Sequence, residues 1–287
     1  MSAIRRNLAG GLWWRHLVAV VMVVFALFPV VFVISAAFNP SGTLSTASLL
    51  PTGFSTGNFH TLFHDPARPY GAWYKNSLLI AVVGSVAALL IGACAAYAFS
   101  RLRFSGRRVG LLALLLLQMF PVLLAFVGLY IMFGNIGDVL PGVGLNTSWG
   151  LILAYMGGAM GANVWLLKGY FDTVPVELDE AARIDGASHA RIFFTVLLPL
   201  ARPILVTVFM LSFVGLYGEF MLASIFLTSP DSQTLGVGLY NMTVGSDRVS
   251  HFGAFAAGCL LAALPVLLLY LIFQKQLVSG LTQGSVK

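Results

Sequence analysis

Residues 177–191 have the sequence Glu-Leu-Asp-Glu-Ala-Ala-Arg-Ile-Asp-Gly-Ala-Ser-His-Ala-Arg, and Val-Leu-Leu-Pro follows at 196–199. This segment is charged, whereas most of the chain is apolar. The chain has 10 acidic residues, and four of them lie within nine positions here: Glu177, Asp179, Glu180 and Asp185. Charged side chains are costly inside a bilayer, so a membrane protein that concentrates them in one loop presents that loop to water. The segment is therefore predicted to meet a partner outside the membrane.

The composition places the whole chain in a membrane. Of its 287 residues, 59% are hydrophobic and 9% are charged, whereas soluble domains have about a quarter of their residues charged. The net charge of +6 comes from basic residues scattered over short loops, which is unlike a nucleic-acid-binding surface. Cys94 and Cys259 lie inside apolar runs, which argues against a disulfide framework or a metal site.

Six apolar stretches are long enough to span a bilayer, which takes about 20 residues in a helix. Each is predicted to be helical because lipid cannot satisfy exposed backbone amides. The expected fold is all-α and integral to the membrane, with a six-helix transmembrane domain at 17–273 between an N-terminal segment, 1–16, and a C-terminal tail, 274–287. The predicted spans are Leu17–Phe38, Ser77–Ser100, Val109–Phe133, Trp149–Tyr170, Ile204–Thr228 and Phe252–Phe273.

The distribution of Lys and Arg predicts the orientation. If the N-terminus is cytoplasmic, 13 of the 16 basic residues fall on the inner side, as the positive-inside rule requires. Both termini and the charged loop, 171–203, are then cytoplasmic. The segments 39–76 and 229–251 lie outside.

The charged loop has the local signals of a helix–turn–helix. Pro175 suits a helix start, and acidic residues favour the positive end of the helix that follows. Gly186 can end that helix in a left-handed conformation, and Ser188 can cap a second helix. We expect a short amphipathic helix on the membrane surface, with Leu178 and Ile184 on its apolar face, and a second helix rising into the fifth span.

The spacing Glu180-Ala181-Ala182-x-x-x-Gly186, nine residues, Val196-x-Leu198-Pro199 resembles the EAA loop of permease subunits of bacterial ABC importers. Val196 is a departure, since the family has Ile there. The resemblance implies that this loop docks on a separate ATP-hydrolysing subunit and transmits its movement. The residues it assigns to coupling are Glu180, Ala181, Ala182, Gly186, Val196, Leu198 and Pro199.

Further strings outside the loop are similar to the smaller, MalG-type permease of maltose/maltodextrin importers: Gln118–Pro121, Gly144–Thr147, Val164–Phe171 and Gly280–Lys287. The resemblance covers roughly residues 70–287 and implies the six-helix type I importer fold, with a core at about 71–273. It implies contact of the last outer loop with a binding protein through Ser232, Gln233, Thr234, Leu235 and Gly236. It also implies contact of the tail with the ATPase through Gly280, Thr282, Gln283, Gly284 and Lys287.

The partners implied by the resemblance are a second permease subunit that completes a heterodimer, an ATPase dimer, an extracytoplasmic sugar-binding protein and the lipid of a bacterial inner membrane. The implied cargo is maltose or maltodextrin. Importers of trehalose, another disaccharide or glycerol phosphate share the loop and remain alternatives.

The chain has no nucleotide-binding loop of its own. Such a loop needs Lys followed by Ser or Thr, and the four lysines are followed by Asn, Gly, Gln and the chain end. ATP and its Mg²⁺ are therefore expected on the partner ATPase, with no cofactor on this chain and no enzymatic activity.

Glu219 is the only acidic residue within a predicted span, and such a carboxylate marks function by default. Two hypotheses stay open: it lines the translocation pathway, or it makes a structural hydrogen bond to the partner permease. A single acid is too few for the remote alternative, a proton-coupled secondary sugar transporter.

Two other features of the spans concern helix shape and packing. The spacing Gly157-x-x-x-Gly161 predicts close helix packing in span four, and Pro29, Pro121 and Pro265 predict kinks in their helices.

Overall fold

The computed structural model describes residues 13–49, 53–158, 161–245 and 247–282, and every regular element within those ranges is a helix. The prediction of an all-helical fold is confirmed. Besides three short 3₁₀ turns, the helices are α1 Trp13–Phe38, α2 Gly57–His64, α3 Tyr70–Arg101, α4 Arg107–Gln118, α5 Val122–Val139, α6 Ser148–Met156, α7 Ala162–Phe171, α8 Glu177–Ile184, α9 His189–Leu200, α10 Arg202–Tyr217, α11 Met221–Phe226, α12 Leu235–Val244 and α13 Phe252–Thr282.

The first, second and sixth predicted spans are continuous helices, α1, α3 and α13. Pro29 and Pro265 lie within α1 and α13 without ending them. The helix α13 continues to Thr282, so the predicted tail begins inside it. Of the described helices, α1, α3, α5 and the 252–276 part of α13 are each long and apolar enough to cross a membrane.

The other three predicted spans are each interrupted, which corrects the expectation of a single helix for each. The third divides into α4 and α5 at Pro121, which has no N–H to donate and cannot continue the helix before it. The fourth divides into α6 and α7. The fifth divides into α10 and α11 around Glu219. The helices α9 and α10 meet the criteria for a span only as a pair, and they are bent by 82°.

The break in the fourth span changes the interpretation of its glycines. Gly157 follows the end of α6, and Gly161 precedes α7. The predicted packing motif therefore lies at the interruption and not on one face of a helix. The prediction for these two glycines was wrong, because a small-residue spacing alone does not show whether the helix between them is continuous.

Two compact units can be distinguished by their internal contacts, one formed by residues 1–70 and 239–263 and the other by 71–238 and 264–287. In the first, the Asn58 amide donates to the carbonyls of Ala37 and Asn39, both at 2.9 Å. The Tyr70 hydroxyl donates to the Gly258 carbonyl at 2.8 Å. These bonds hold the segment that follows α1, which the sequence predicted only to lie on the outer side of the membrane.

In the second unit, α3 is the helix against which others pack. Its small residues permit close approach, as the sequence predicted. A Cβ on Gly92 would lie 3.2 Å from the Cβ of Asn163 on α7, and one on Gly84 would lie 2.7 Å from Leu216 on α10. Buried apolar side chains surround this contact, among them Ala93, Ala96, Val164, Leu167, Leu197 and Val208.

Replacing Gly92 with Leu should destabilise the protein, because the new side chain must displace α7. Overpacking of this kind costs about 1–3 kcal/mol. Thermal unfolding of the purified importer in detergent measures the effect. Gly71→Leu is the matched control, since Gly71 lies on the same helix with open space around it. Equal melting temperatures for the two variants would contradict the close contact.

Candidate coupling and translocation site

The helix α8, to which the sequence assigned the coupling role, ends where the sequence predicted. Gly186 has φ +78°, which only glycine adopts readily. Its N–H donates to the Arg183 carbonyl and the Ala187 N–H donates to the Ala182 carbonyl, both at 2.9 Å. This pair of bonds is a Schellman motif that satisfies the last carbonyls of the helix.

The second helix of the loop, α9, begins as predicted but then departs from regular geometry. The Ser188 hydroxyl accepts from the Arg191 N–H at 3.3 Å and so caps it. Residues Phe193–Leu197 form a π-helical turn, which changes the side chains that face inward. Val196 and Leu198 are half-buried, Pro199 is exposed, and Leu197 is fully buried. Because α9 meets α10 at 82°, the expectation that it rises smoothly into the fifth span was wrong.

The outward side of α8 is apolar and has no partner within the described chain. Ile184 is 88% exposed and Leu178 is 43% exposed. Glu180 and Ala181 are also exposed, while Ala182 is half-buried. The predicted apolar side chains are therefore present, but they point away from this chain. Exposed aliphatic groups beside a charged rim are typical of a docking surface.

The inward side of α8 is held by a charge that sequence reasoning did not single out. Asp179 is 2% exposed, and its Oδ2 lies 2.8 Å from Nε of Arg101 at the end of α3. The Arg101 guanidinium also donates to the Val174 carbonyl at 2.7 Å. No local signal in the sequence joins Arg101 to Asp179, because the two lie far apart in the chain.

Glu219 lies in the turn between α10 and α11, where it caps α11. Its carboxylate accepts from the N–H of Leu222 at 2.8 Å and from that of Ala223 at 3.0 Å. It also accepts a hydrogen bond from the Tyr155 hydroxyl of α6. The side chain is half-buried. The carboxylate thus joins the ends of two interrupted helices within this chain, a role that an uninterrupted span would not have suggested.

A second polar contact lies near these breaks. The Asn163 amide of α7 donates to the Ser212 hydroxyl of α10 at 3.2 Å. The Tyr155–Glu219 pair lies before the interruption of the fourth predicted span, and the Asn163–Ser212 pair lies after it. Both pairs join the fourth predicted span to the fifth. Hydrogen bonds between helices of this kind are a common means of association in membranes.

The start of the last outer segment is fixed by side chains from elsewhere in the chain. Asn146, at φ +58°, accepts through Oδ1 from the N–H groups of Thr228 at 2.7 Å and Ser229 at 2.8 Å. The Trp73 indole donates to the Pro230 carbonyl at 2.7 Å. The Ser77 hydroxyl accepts from the Leu235 N–H at 2.7 Å. Asn146, Trp73 and Ser77 thus hydrogen-bond this turn to other parts of the same compact unit.

This anchoring affects the residues predicted to reach a binding protein. Gln233, Thr234 and Leu235 are buried, and Ser232 and Gly236 are half-buried. The exposed residues of the outer segment lie on both sides of these positions: Ser229, Pro230 and Asp231 before them, and Tyr240, Asn241, Val244, Arg248 and Val249 in and after α12. Sequence position alone could not distinguish the buried residues of this segment from the exposed ones.

The predicted tail contacts are only partly within the described residues. Gly280 and Thr282 belong to the last turns of α13, whereas Gln283, Gly284 and Lys287 lie outside the described residues. Across the described ranges, no group of three or more His, Cys, Asp or Glu side chains is arranged to hold a metal ion.

Comparison with known proteins agrees with the geometry. Residues 88–283 match the family described as "Binding-protein-dependent transport system inner membrane component". This range includes α8, α9 and Glu219. Among similar proteins, the galactooligosaccharides transport system permease protein GanQ of Bacillus subtilis is 39% identical, over 96% of this chain and 95% of that protein.

Maltose/maltodextrin transport system permease proteins MalG are also similar. That of Vibrio vulnificus is 38% identical over 98% of each chain, and that of Escherichia coli K12 is 37% identical over 96% of each. A crystal structure of a bacterial ABC transporter that imports the polysaccharide alginate contains a chain with the same fold. It superimposes with a TM-score of 0.79 at 23% identity, covering 96% of this chain and 98% of that one.

The type I importer permease fold and the bacterial inner membrane location predicted from the sequence are confirmed by these matches. ATP hydrolysis belongs to a separate subunit in such importers, so this chain is a noncatalytic membrane component. The chain belongs to the family of inner membrane components of binding-protein-dependent transport systems.

Proposed function

We propose that this chain forms half of the translocation pathway of an ATP-driven importer for maltose- or maltodextrin-like oligosaccharides. A second permease subunit completes the pathway, an ATPase dimer docks on α8, and a sugar-binding protein docks on the outer side. The observation that carries this proposal is α8 itself. It is anchored on one side by a buried ion pair, while Ile184 on the other side is 88% exposed.

The cargo is inferred from the proteins that are similar to this chain. Permeases named for maltose/maltodextrin and for galactooligosaccharides resemble it at nearly equal identity over nearly its whole length. Both names specify short chains of sugars, which supports an oligosaccharide cargo. Trehalose, another disaccharide and glycerol phosphate are the competing cargoes, and the relative named for galactooligosaccharides adds those sugars to them.

The mechanism that fits is alternating access. Closure of the ATPase dimer moves α8, and the helices above it change from an inward-open to an outward-open arrangement. The binding protein then releases sugar into the cavity. This chain makes and breaks no covalent bonds, because ATP and Mg²⁺ are bound by the partner ATPase. Its contribution is to convert the movement of the ATPase into a rearrangement of helices.

Uptake by the complete importer in liposomes tests the cargo. Labelled maltotriose is supplied with the binding protein outside and ATP inside. An excess of unlabelled maltodextrin should suppress uptake more than an equal excess of galactooligosaccharide, trehalose or glycerol phosphate. Stronger competition by any of the other three would replace the maltodextrin assignment with that compound.

The docking surface on α8 can be tested by Ile184→Asp. An exposed aliphatic side chain that becomes buried at the centre of an interface contributes about 2 kcal/mol or more. We therefore expect ATPase binding to weaken at least about thirtyfold, measured by titrating the purified ATPase onto the permease pair in detergent. Val249→Asp is the control, since Val249 is exposed on the predicted outer side. Unchanged ATPase affinity in Ile184→Asp would exclude α8 as the docking site.

A pathway role for Glu219 can be separated from its capping role. Glu219→Gln keeps an acceptor for the N–H groups of α11 but removes the charge, whereas Tyr155→Phe removes only the hydroxyl. If the charge faces the pathway, Glu219→Gln should lower uptake about tenfold, the equivalent of about 1.4 kcal/mol, with the complex intact. Tyr155→Phe should have a smaller effect. Size-exclusion chromatography checks assembly, and loss of the complex in Glu219→Gln would show a structural role instead.

A further inference from the structure

The last turn of α3 touches each element of the charged loop. Its side chains Tyr97, Ser100 and Arg101 contact, in turn, the start of α9, the end of α7 and the coupling helix α8. We call these three residues the α3 clamp. All of these groups lie within the same compact unit of the chain.

Arg101 is the centre of the clamp. Its side chain is 4% exposed and that of Asp179 is 2% exposed, with 2.8 Å between Nε and Oδ2. The N–H is not aligned for a hydrogen bond, so the carboxylate is held by charge. The guanidinium also donates to the Val174 carbonyl just before α8. Removing one partner of such a buried pair leaves the other charge uncompensated, which is far more costly than losing an exposed ion pair.

Ser100 holds the preceding element. Its hydroxyl donates to Oδ1 of Asp172 at 2.7 Å, and Nζ of Lys168 donates to Oδ2 at 2.5 Å. Burial raises the pKa of Asp172, but the hydrogen bonds from Lys168 and Ser100 outweigh it, so the pKa lies below its usual range. Asp172 is therefore ionised at neutral pH and fixes the end of α7 to α3.

Tyr97 holds the element that follows α8. Its hydroxyl lies 3.3 Å from the His189 carbonyl, to which it donates, at the start of α9. The Tyr97 ring packs on Phe193 of the π-helical turn, with 5.1 Å between ring centroids. The clamp thus holds the coupling loop before, within and after α8.

We propose that the α3 clamp is the joint through which movement of the coupling helix enters the membrane helices. Tyr97, Ser100 and Arg101 are positioning residues in this proposal, which rests on the proposed function as an ATP-driven importer. The covalent route through α9 is poorly suited to the task, since it passes a π-helical turn and an 82° bend. The helix α3, in contrast, is continuous for 32 residues and packs closely on α7 and α10 through Gly92 and Gly84.

The proposal predicts uncoupling without loss of assembly. In the complete importer in liposomes, Asp179→Asn should leave ATP hydrolysis in place but lower the sugar imported per ATP hydrolysed about tenfold, the order of effect expected when a coupling interaction is lost. Asp179→Glu should restore most of this ratio, because it restores the charge facing Arg101. Asp138→Asn is the control, since Asp138 is an exposed acid at the end of α5.

The experiment separates the clamp from the proposed function. ATP-dependent uptake by the wild-type importer tests the proposed function. The sugar imported per ATP hydrolysed by each variant, relative to the wild type, tests the clamp. If Asp179→Asn imports as much sugar per ATP hydrolysed as the wild type, the clamp proposal is overturned. If Asp179→Asn does not assemble, the double variant Tyr97→Phe with Ser100→Ala keeps the ion pair and removes the two hydroxyls. It should lower the ratio at unchanged melting temperature, and an unchanged ratio would equally overturn the proposal.

Discussion

A break in a membrane helix exposes backbone N–H and C=O groups that lipid cannot satisfy, and this constraint governs the second compact unit of the chain. Two of the breaks that the structure describes show how such groups are satisfied or avoided. At the third span the residue after the break is Pro121, which has no N–H to leave unpaired. At the fifth, the Glu219 carboxylate accepts from two N–H groups of α11. Away from the breaks, the start of α6 is capped in the same manner by the Thr147 hydroxyl, which accepts from the Gly150 N–H.

Acidic residues are scarce in this chain, and three of them join separate elements. Glu219 joins α6 to α11 through Tyr155, and Asp179 joins α8 to α3 through Arg101. Asp172 joins α7 to α3 through Ser100. Asp179 is the buried one of the three, and because a buried charge is stable only beside its partner, it restricts the arrangement of the two helices most strongly. Apolar contacts alone would permit those helices to slide.

The features that could be predicted from the sequence depend on neighbouring residues. Gly186 and Ser188 mark a turn because their conformational and capping preferences act within one or two residues of the backbone. The unpredicted features depend on distant partners. Residues 204–228 have a single charged residue, Glu219, and their overall apolar character does not show that the helix stops there. Gly157 and Gly161 have the spacing of a packing motif, and only the three-dimensional arrangement shows that they flank a gap between helices.

The proposed docking of α8 on a moving partner sets two opposed requirements, and the two sides of the helix meet them by different means. α8 has 8 residues, about 12 Å of helix, so no residue is far from either its own chain or its partner. An apolar inner side would attach it loosely, because hydrophobic contact has no direction. The buried ion pair of Asp179 with Arg101 lies on the inner side and ties this part of the helix to one specific partner, because a buried charge without its partner is costly. The aliphatic Ile184 lies on the outer side, where burial against a partner gains free energy without requiring one orientation. A helix built in this way is fixed to its own chain and able to release a moving partner, which is what a repeated cycle of docking and movement demands.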